Sequence, residues 1–107
     1  MNPAPQFDEL IHAPTRLSIV ALLAASQWAE FTFVRDSLGM SDSALSKQIS
    51  TLSKNDYVDV RKGYVGKRPR TWLNLTDSGR DTLAEHLSAL QAIAAKARSD
   101  GSRHPRG

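Results

Sequence analysis

The chain contains no cysteine, and this absence removes several classes of function at once. Disulfide bonds, thiolate metal sites and thiol nucleophiles all require that residue. There is also no apolar run of membrane-spanning length, and the N-terminus MNPAPQFDEL has no basic region followed by an apolar one. We therefore expect a cytoplasmic protein without a membrane partner. Its 107 residues, 40% of them hydrophobic, suffice for one domain with a modest core.

Catalytic and metal-binding motifs are missing as well. Catalysis needs a nucleophile with a base, or a pair of carboxylates, gathered in a cleft. The three histidines, His12, His86 and His104, lie on different segments and show no ligand spacing. We therefore predict that the chain is not an enzyme and holds no cofactor or metal ion. On this interpretation His86 faces solvent on the last helix.

The positive charge is concentrated in the second half of the chain. Residues 1–60 carry four Lys/Arg against seven Asp/Glu, a balance of −3, whereas residues 61–107 carry ten against four, a balance of +6. The segment RKGYVGKRPR, residues 61–70, holds five basic residues and no acidic one. Such a concentration is typical of surfaces that bind phosphates, although a solvated loop is the alternative.

The first half of the chain reads as three helices. After residues 1–6, which we expect to be disordered, a short helix ends near Pro14 and a longer, mostly buried one follows. A very short strand is predicted at residues 30–32, with Thr32 as the N-cap of the helix FVRDSLG. Gly39 suits the left-handed position that ends this helix.

The next helix is unusually rich in serine. It begins at SDSALSKQIS, with Ser41 as N-cap, and is predicted to run from Asp42 to about Asn55. At 100° per residue, its Leu and Ile residues share one face, and short hydroxyls and lysines occupy the other. Two helices joined by a tight turn at Gly39 predict a helix-turn-helix over about residues 32–55.

A hairpin follows, and a long helix closes the chain. Residues alternate with period two on both sides of Gly63, Gly66 and Pro69, which predicts a β-hairpin over residues 57–75 with the basic cluster at its loop. Thr76 is the expected N-cap of a helix over residues 77–98, and residues 99–107 are expected to be a disordered tail. Apolar residues recur on this helix with coiled-coil spacing. They predict a dimer interface of Leu83, Leu87, Leu90, Ile93, Ala94 and Ala97, or else a face that packs on the N-terminal helices of the same chain.

This order of elements resembles the small winged helix-turn-helix transcription regulators of bacteria related to the MarR, ArsR and PadR families. The resemblance covers residues 7–98 and is carried by SDSALSKQISTLSKNDYVDVRKG and RTWLNLTDSGR. It implies a mainly α fold with a small β-hairpin, the α+β class, in which the helix at 77–98 forms a homodimer. It further implies a recognition helix in the major groove of double-stranded DNA, a wing on the backbone or minor groove, and more often a repressor than an activator.

The physical chemistry of the groove gives the serine-rich helix a role of its own. Short side chains let a helix backbone approach base edges, and a serine hydroxyl can donate to or accept from several bases. Lys47 can donate to guanine, whereas Thr51 and Lys54 suit phosphates. For Arg61 and Lys62 we leave open which way the strand points them, and Trp72 is expected to be a packing residue. The predicted DNA contacts are Ser41, Ser43, Ser46, Lys47, Ser50, Thr51, Lys54, Arg61, Lys62, Lys67, Arg68 and Arg70.

Other functions of a winged helix remain open at this point. A protein-interaction module that no longer binds DNA is one alternative, although such a module should lose the basic wing. RNA binding is another, but Tyr64 is the sole aromatic residue of the wing loop. An ArsR-like metal sensor would lack its thiolates, and a MarR-like regulator would take a small-molecule effector whose identity is unknown.

Overall fold

Five helices and three strands follow one another along residues 8–103, the part of the chain that the computed structural model describes, with side chains described through residue 100. The predictions for residues 1–6 and 104–107 lie outside this part. The elements are α1 (Glu9–His12), α2 (Pro14–Ala24), β1 (Ala29–Glu30), α3 (Phe31–Leu38), α4 (Asp42–Lys54), β2 (Val58–Val65), β3 (Arg68–Leu75) and α5 (Asp77–Arg103).

The three strands form one antiparallel sheet in the order β1-β3-β2. Strands β2 and β3 pair from Val58 with Leu75 out to Val65 with Arg68. The turn between them contains Gly66 at φ 64° followed by Lys67. Glycine at the first central position of a two-residue turn is typical of hairpins, because a positive φ matches the twist of the strands. The predicted hairpin is therefore present.

The core lies where α2, α3, α4 and the near face of the sheet meet. Helix α4 contributes Leu45, Ile49 and Leu52, all buried, as its helical periodicity predicted. The sheet adds Ala29 of β1, Val58 of β2, and Leu73 and Leu75 of β3, which share its near face because side chains alternate between the two faces. The buried cluster consists of Ile11, Ile19, Val20, Leu23, Ala29, Val34, Leu45, Ile49, Leu52, Val58, Leu73, Leu75 and Leu83.

The start of α3 differs from the prediction. Ala29 and Glu30 pair with Leu73 and Trp72 of β3, which holds the backbone extended up to Glu30. The helix then begins at Phe31, so Thr32 is not its N-cap but lies in the first turn. The predictions of a left-handed Gly39, at φ 63°, and of Ser41 as the N-cap of α4 are confirmed.

Helix α5 is longer than predicted, and its first half belongs to the core. Thr76 caps it by accepting a hydrogen bond from the Gly79 amide at 2.9 Å, as expected. Leu83, predicted in the dimer interface, is only 7% exposed and packs in the core of its own chain. The helix continues to Arg103, so the prediction that the tail is disordered from residue 99 was wrong for 99–103. No helix among the described residues could span a membrane.

His86 was predicted to face solvent, and this prediction was wrong. Its side chain is fully buried, and its Nδ1 atom accepts a hydrogen bond from the Asp8 amide at 3.1 Å. Its Nε2 atom lies 3.4 Å from Nδ1 of His12, so two histidines that are 74 residues apart meet between α1 and α5. Tyr57 donates to the Asp8 carboxylate at 3.0 Å, and the pKa of Tyr57 is raised, mainly because burial disfavours its phenolate. These contacts fasten the N-terminal segment to α5.

Candidate nucleic-acid interface

Helix α4 projects one polar ridge into solvent. Ser41 accepts a hydrogen bond from the Ala44 amide at 3.1 Å, which begins the helix, and the three buried apolar residues fix its rotation. The opposite face is consequently exposed, with short hydroxyls beside two amines. The exposed residues of this ridge are Ser43, Ser46, Lys47, Ser50 and Lys54. This is the geometry that a helix entering a groove requires, since none of residues 8–100 covers the ridge.

Two other predicted contacts on α4 have local roles. The Ser41 hydroxyl acts as the cap just described, and it also lies 3.4 Å from the hydroxyl of Ser43. Thr51 is half-buried, and its hydroxyl donates to the Lys47 carbonyl at 3.2 Å. Both hydroxyl oxygens keep capacity for a further hydrogen bond, because a hydroxyl has one donor and two acceptor sites. Lys47 and Lys54 are the ridge residues with a full positive charge.

A groove of about 620 Å³ separates α4 from the hairpin. On the helix side it is lined by Ser46, Ser50 and Lys54, which were predicted, and by Ser53, which was not. On the hairpin side Lys62 and Thr71 face it above the apolar floor of Val60 and Leu73. The groove thus combines hydroxyls from both walls with an amine on each side, a chemistry suited to phosphate oxygens.

The hairpin divides its basic residues between two faces. Lys62 is on the same face as Val60 and therefore points toward α4, whereas Arg61 is on the opposite face. The sequence left open which of Arg61 and Lys62 faces the recognition helix, and the structure shows that Lys62 faces the groove whereas Arg61 does not. Lys67 in the turn and Arg68 beside it are exposed at the tip of the wing.

Arg61 and Arg70 are engaged on the far face of the sheet. The Arg61 guanidinium carbon lies 4.1 Å from the ring centroid of Trp28, a cation–π contact. Arg70 lies 3.8 Å from the carboxylate of Glu30. Both contacts join the wing to the segment around β1, so these two arginines brace the hairpin on the side away from the groove. Trp28 was not singled out in the sequence because its neighbours show no periodicity.

The two helices of the motif are joined by an ion pair. Arg35 of α3 donates to the carboxylate of Asp42 at 2.8 Å and to that of Asp36 at 2.9 Å. Hydrogen bonds to Asp36 and then to Asp42 raise the pKa of Arg35 above its usual value. Asp42 also lines the groove. Arg35 therefore neutralises an acidic group that would otherwise repel an anion at the start of α4.

Comparison with known families agrees with this geometry. The family described as a winged helix DNA-binding domain matches residues 15–94, which include both helices of the motif, the hairpin and most of α5. The chain belongs to this winged helix family. The sequence-based recognition of the family and of the fold class is confirmed.

Individual relatives of this winged helix domain are transcriptional regulators or uncharacterised. The transcriptional regulator homologue protein of Pyrococcus horikoshii OT3 superposes with a TM-score of 0.78 at 28% identity, covering 84% of this chain and 89% of that one. An uncharacterised protein of Methanocaldococcus jannaschii is 25% identical over 80% of this chain and 94% of its own. The regulator MOSR of M. tuberculosis, solved in complex with DNA, has a TM-score of 0.64 at 17% identity over 80% of this chain and 61% of its own.

Further structural neighbours are MarR-family transcriptional regulators. The family to which the chain belongs is described as a DNA-binding domain, and the structural neighbours named above are described as transcriptional regulators. The absence of catalytic activity in this chain stays a prediction. Its location in the cytoplasm and its bacterial source also stay predictions.

Proposed function

We propose that the protein is a sequence-specific regulator that binds double-stranded DNA as a homodimer, with α4 in the major groove. The observation that carries this proposal is the exposed ridge of Ser43, Ser46, Lys47 and Ser50 beside a wing with an exposed basic tip. Hydroxyls and an amine at this spacing can donate to and accept from base edges. We extend the proposal to repression of transcription, because the families that this chain resembles more often contain repressors than activators.

The groove between α4 and the hairpin is proposed to hold one sugar-phosphate backbone. Lys54 and Lys62 supply charge from opposite walls, and Ser53 and Thr71 add hydroxyl donors. Contacts of this kind position a protein on DNA without reading sequence. Lys67 and Arg68 would then reach a phosphate or the minor groove from the wing tip, whereas Arg61 and Arg70 are left out of the contact set because they lie on the far face.

The second half of α5 is proposed to pair with its counterpart in a second copy of the chain. Every residue from Gln91 to Arg98 is exposed, so no element among the described residues packs over this stretch of the helix. Leu87 and Ile93 are 44% and 59% exposed, and Leu90 between them is half-buried. With Ala94 and Ala97 they form one stripe of apolar residues along the helix. A two-fold axis would place two α4 helices about 34 Å apart, one turn of DNA.

Replacing Lys47 by alanine tests the reading of bases. We expect operator binding to weaken by about 1–3 kcal/mol, because a lysine that donates to guanine discriminates against the wrong base. The measurement is the dissociation constant for the preferred sequence, selected from fragments of the source genome, and for random DNA at the same salt concentration. Lys54→Ala is the matched control, and as a phosphate contact it should weaken both DNAs alike. An equal loss on both DNAs for Lys47→Ala would refute its base-reading role.

The wing tip is tested through salt dependence. Replacing both Lys67 and Arg68 by glutamine should reduce the magnitude of the slope of log affinity against log salt concentration by about 1.8, because each phosphate contact contributes about 0.9 to this slope. Lys96→Gln with Arg98→Gln removes the same charge from α5, where both residues are exposed, and should leave the slope as it was. An unchanged slope in the wing variant would remove these residues from the interface.

A further inference from the structure

A second concave site lies on the face of the sheet that is turned away from α4. It is a cleft of about 310 Å³ lined by Trp28, Arg61 and Trp72. The chain has only two tryptophans, and both are in this cleft. The proposed contacts with DNA use none of these three side chains. Small-molecule sites commonly begin at about this volume and combine aromatic walls with one charged group.

The guanidinium of Arg61 is positioned but not hydrogen-bonded. Its guanidinium carbon lies 4.1 Å from the centroid of the Trp28 ring, and this cation–π contact holds the group at the cleft. Within the part of the chain described by the structure, Arg61 forms no hydrogen bond or ion pair, whereas Arg70 on the same face is paired with Glu30. A guanidinium has five N–H donors in a rigid fork that matches the oxygens of a carboxylate or phosphate. The donors of Arg61 are therefore available to an anion.

The backbone around the cleft holds the two indoles apart from the core. Trp28 has φ 49°, a left-handed conformation that is unfavourable for a bulky side chain, and its amide donates to Asn74 at 3.5 Å. The Trp72 ring lies over Gly63, where an added Cβ atom would approach it to 3.1 Å. Gly63 thus gives the indole the space in which it lies. Backbone strain like that of Trp28 is often found at active sites and ligand-binding sites.

We propose that this cleft binds a planar aromatic ring that carries an anionic group. The ring would stack against the indoles, and the carboxylate or phosphate would accept hydrogen bonds from Arg61. Charge alone would not select the ligand, because Asp59 lies on the same face of β2 two residues from Arg61. The ring and the anion are consequently both required. This proposal does not rest on DNA binding.

Tryptophan fluorescence of the full chain provides the test, since all of the emission comes from the cleft. The probes are benzoate and adenosine monophosphate, which have a ring and an anion, cyclohexanecarboxylate, which lacks the aromatic ring, and benzyl alcohol, which lacks the anion. We expect at least one of the first two to change the emission with a dissociation constant below about 1 mM. Binding of benzoate alone would assign an aromatic acid, and binding of the nucleotide alone an aromatic phosphate.

A charge variant separates this site from unspecific association. Arg61→Gln should weaken binding of the aromatic anion by about 10- to 100-fold, the effect of losing a charge-assisted hydrogen bond. Arg98→Gln, which removes the same charge from an exposed position on α5, should bind like the original chain. The proposal is overturned if neither aromatic anion changes the emission when its concentration is 10-fold above about 1 mM. It is also overturned if cyclohexanecarboxylate binds as tightly as the aromatic anions, or if Arg61→Gln does not weaken their binding. Circular dichroism verifies that the variants fold.

Discussion

Replacing Gly79 by alanine is expected to destabilise the protein by about 1–3 kcal/mol or more, although alanine is the better helix former. A Cβ atom at this position would collide with the backbone carbonyl of Tyr57 and lie 2.7 Å from Cδ1 of Leu75. The carbonyl cannot rotate away because it accepts a hydrogen bond from the Thr76 amide at 3.0 Å. Helix α5 and the start of β2 would therefore have to separate.

The neighbouring position provides the control. Ser78→Ala changes an exposed residue in the same turn of α5 and should leave the free energy of unfolding within about 0.5 kcal/mol of the original value. Urea denaturation of both variants, followed by circular dichroism, measures the difference. If Gly79→Ala proved as stable as Ser78→Ala, the close packing of α5 on Tyr57 would be incorrect.

Replacing Leu87 and Ile93 together by glutamate is expected to convert the protein to a monomer and to lower operator affinity by about 10²–10⁴-fold. Four charges would face each other across a two-fold axis in the proposed dimer, and linked binding to two half-sites would be lost. Both side chains are already largely exposed, 44% and 59%, so the fold of one chain should tolerate the change. Sedimentation at micromolar concentration measures the oligomeric state.

The matched control carries the same charge on the other side of the helix. Ser88→Glu with Ala92→Glu alters two exposed residues that lie roughly opposite the apolar stripe, at 100° per residue. This variant should remain dimeric and keep its affinity. A monomeric original chain, or equal dissociation of both variants, would show that the stripe is not the interface.

Periodicity in the sequence predicted the helices and the hairpin because both elements bury one face. Leu45, Ile49 and Leu52 recur at helical spacing, and this alone determined which side of α4 is polar. Periodicity placed Leu83 in the dimer interface, but this residue packs in the core of its own chain. The coiled-coil spacing does not change where α5 passes from the core into solvent, so the spacing could not separate the two environments. A pattern of apolar residues says that they are buried but does not identify the surface that buries them.

Contacts between distant segments were beyond the sequence. His12 and His86 meet only because α1 and α5 pack together, and no local pattern marks either residue. Trp28 stacks with Arg61 across 33 positions of the chain for the same reason. The start of α3 was displaced because pairing of β1 with β3 overrides the preference of threonine for a helix N-cap.

The anchoring of α5 by Gly79, Leu83 and His86 has a consequence for the spacing of DNA half-sites. In the proposed dimer, one continuous helix would be anchored in the core of its own chain and would also contact the second subunit. No flexible linker would then separate the two α4 helices. One inserted base pair would rotate a half-site by about 34° around the duplex, and the dimer could follow only by bending α5 or the DNA. The protein should thus tolerate base changes between half-sites far better than changes in their separation.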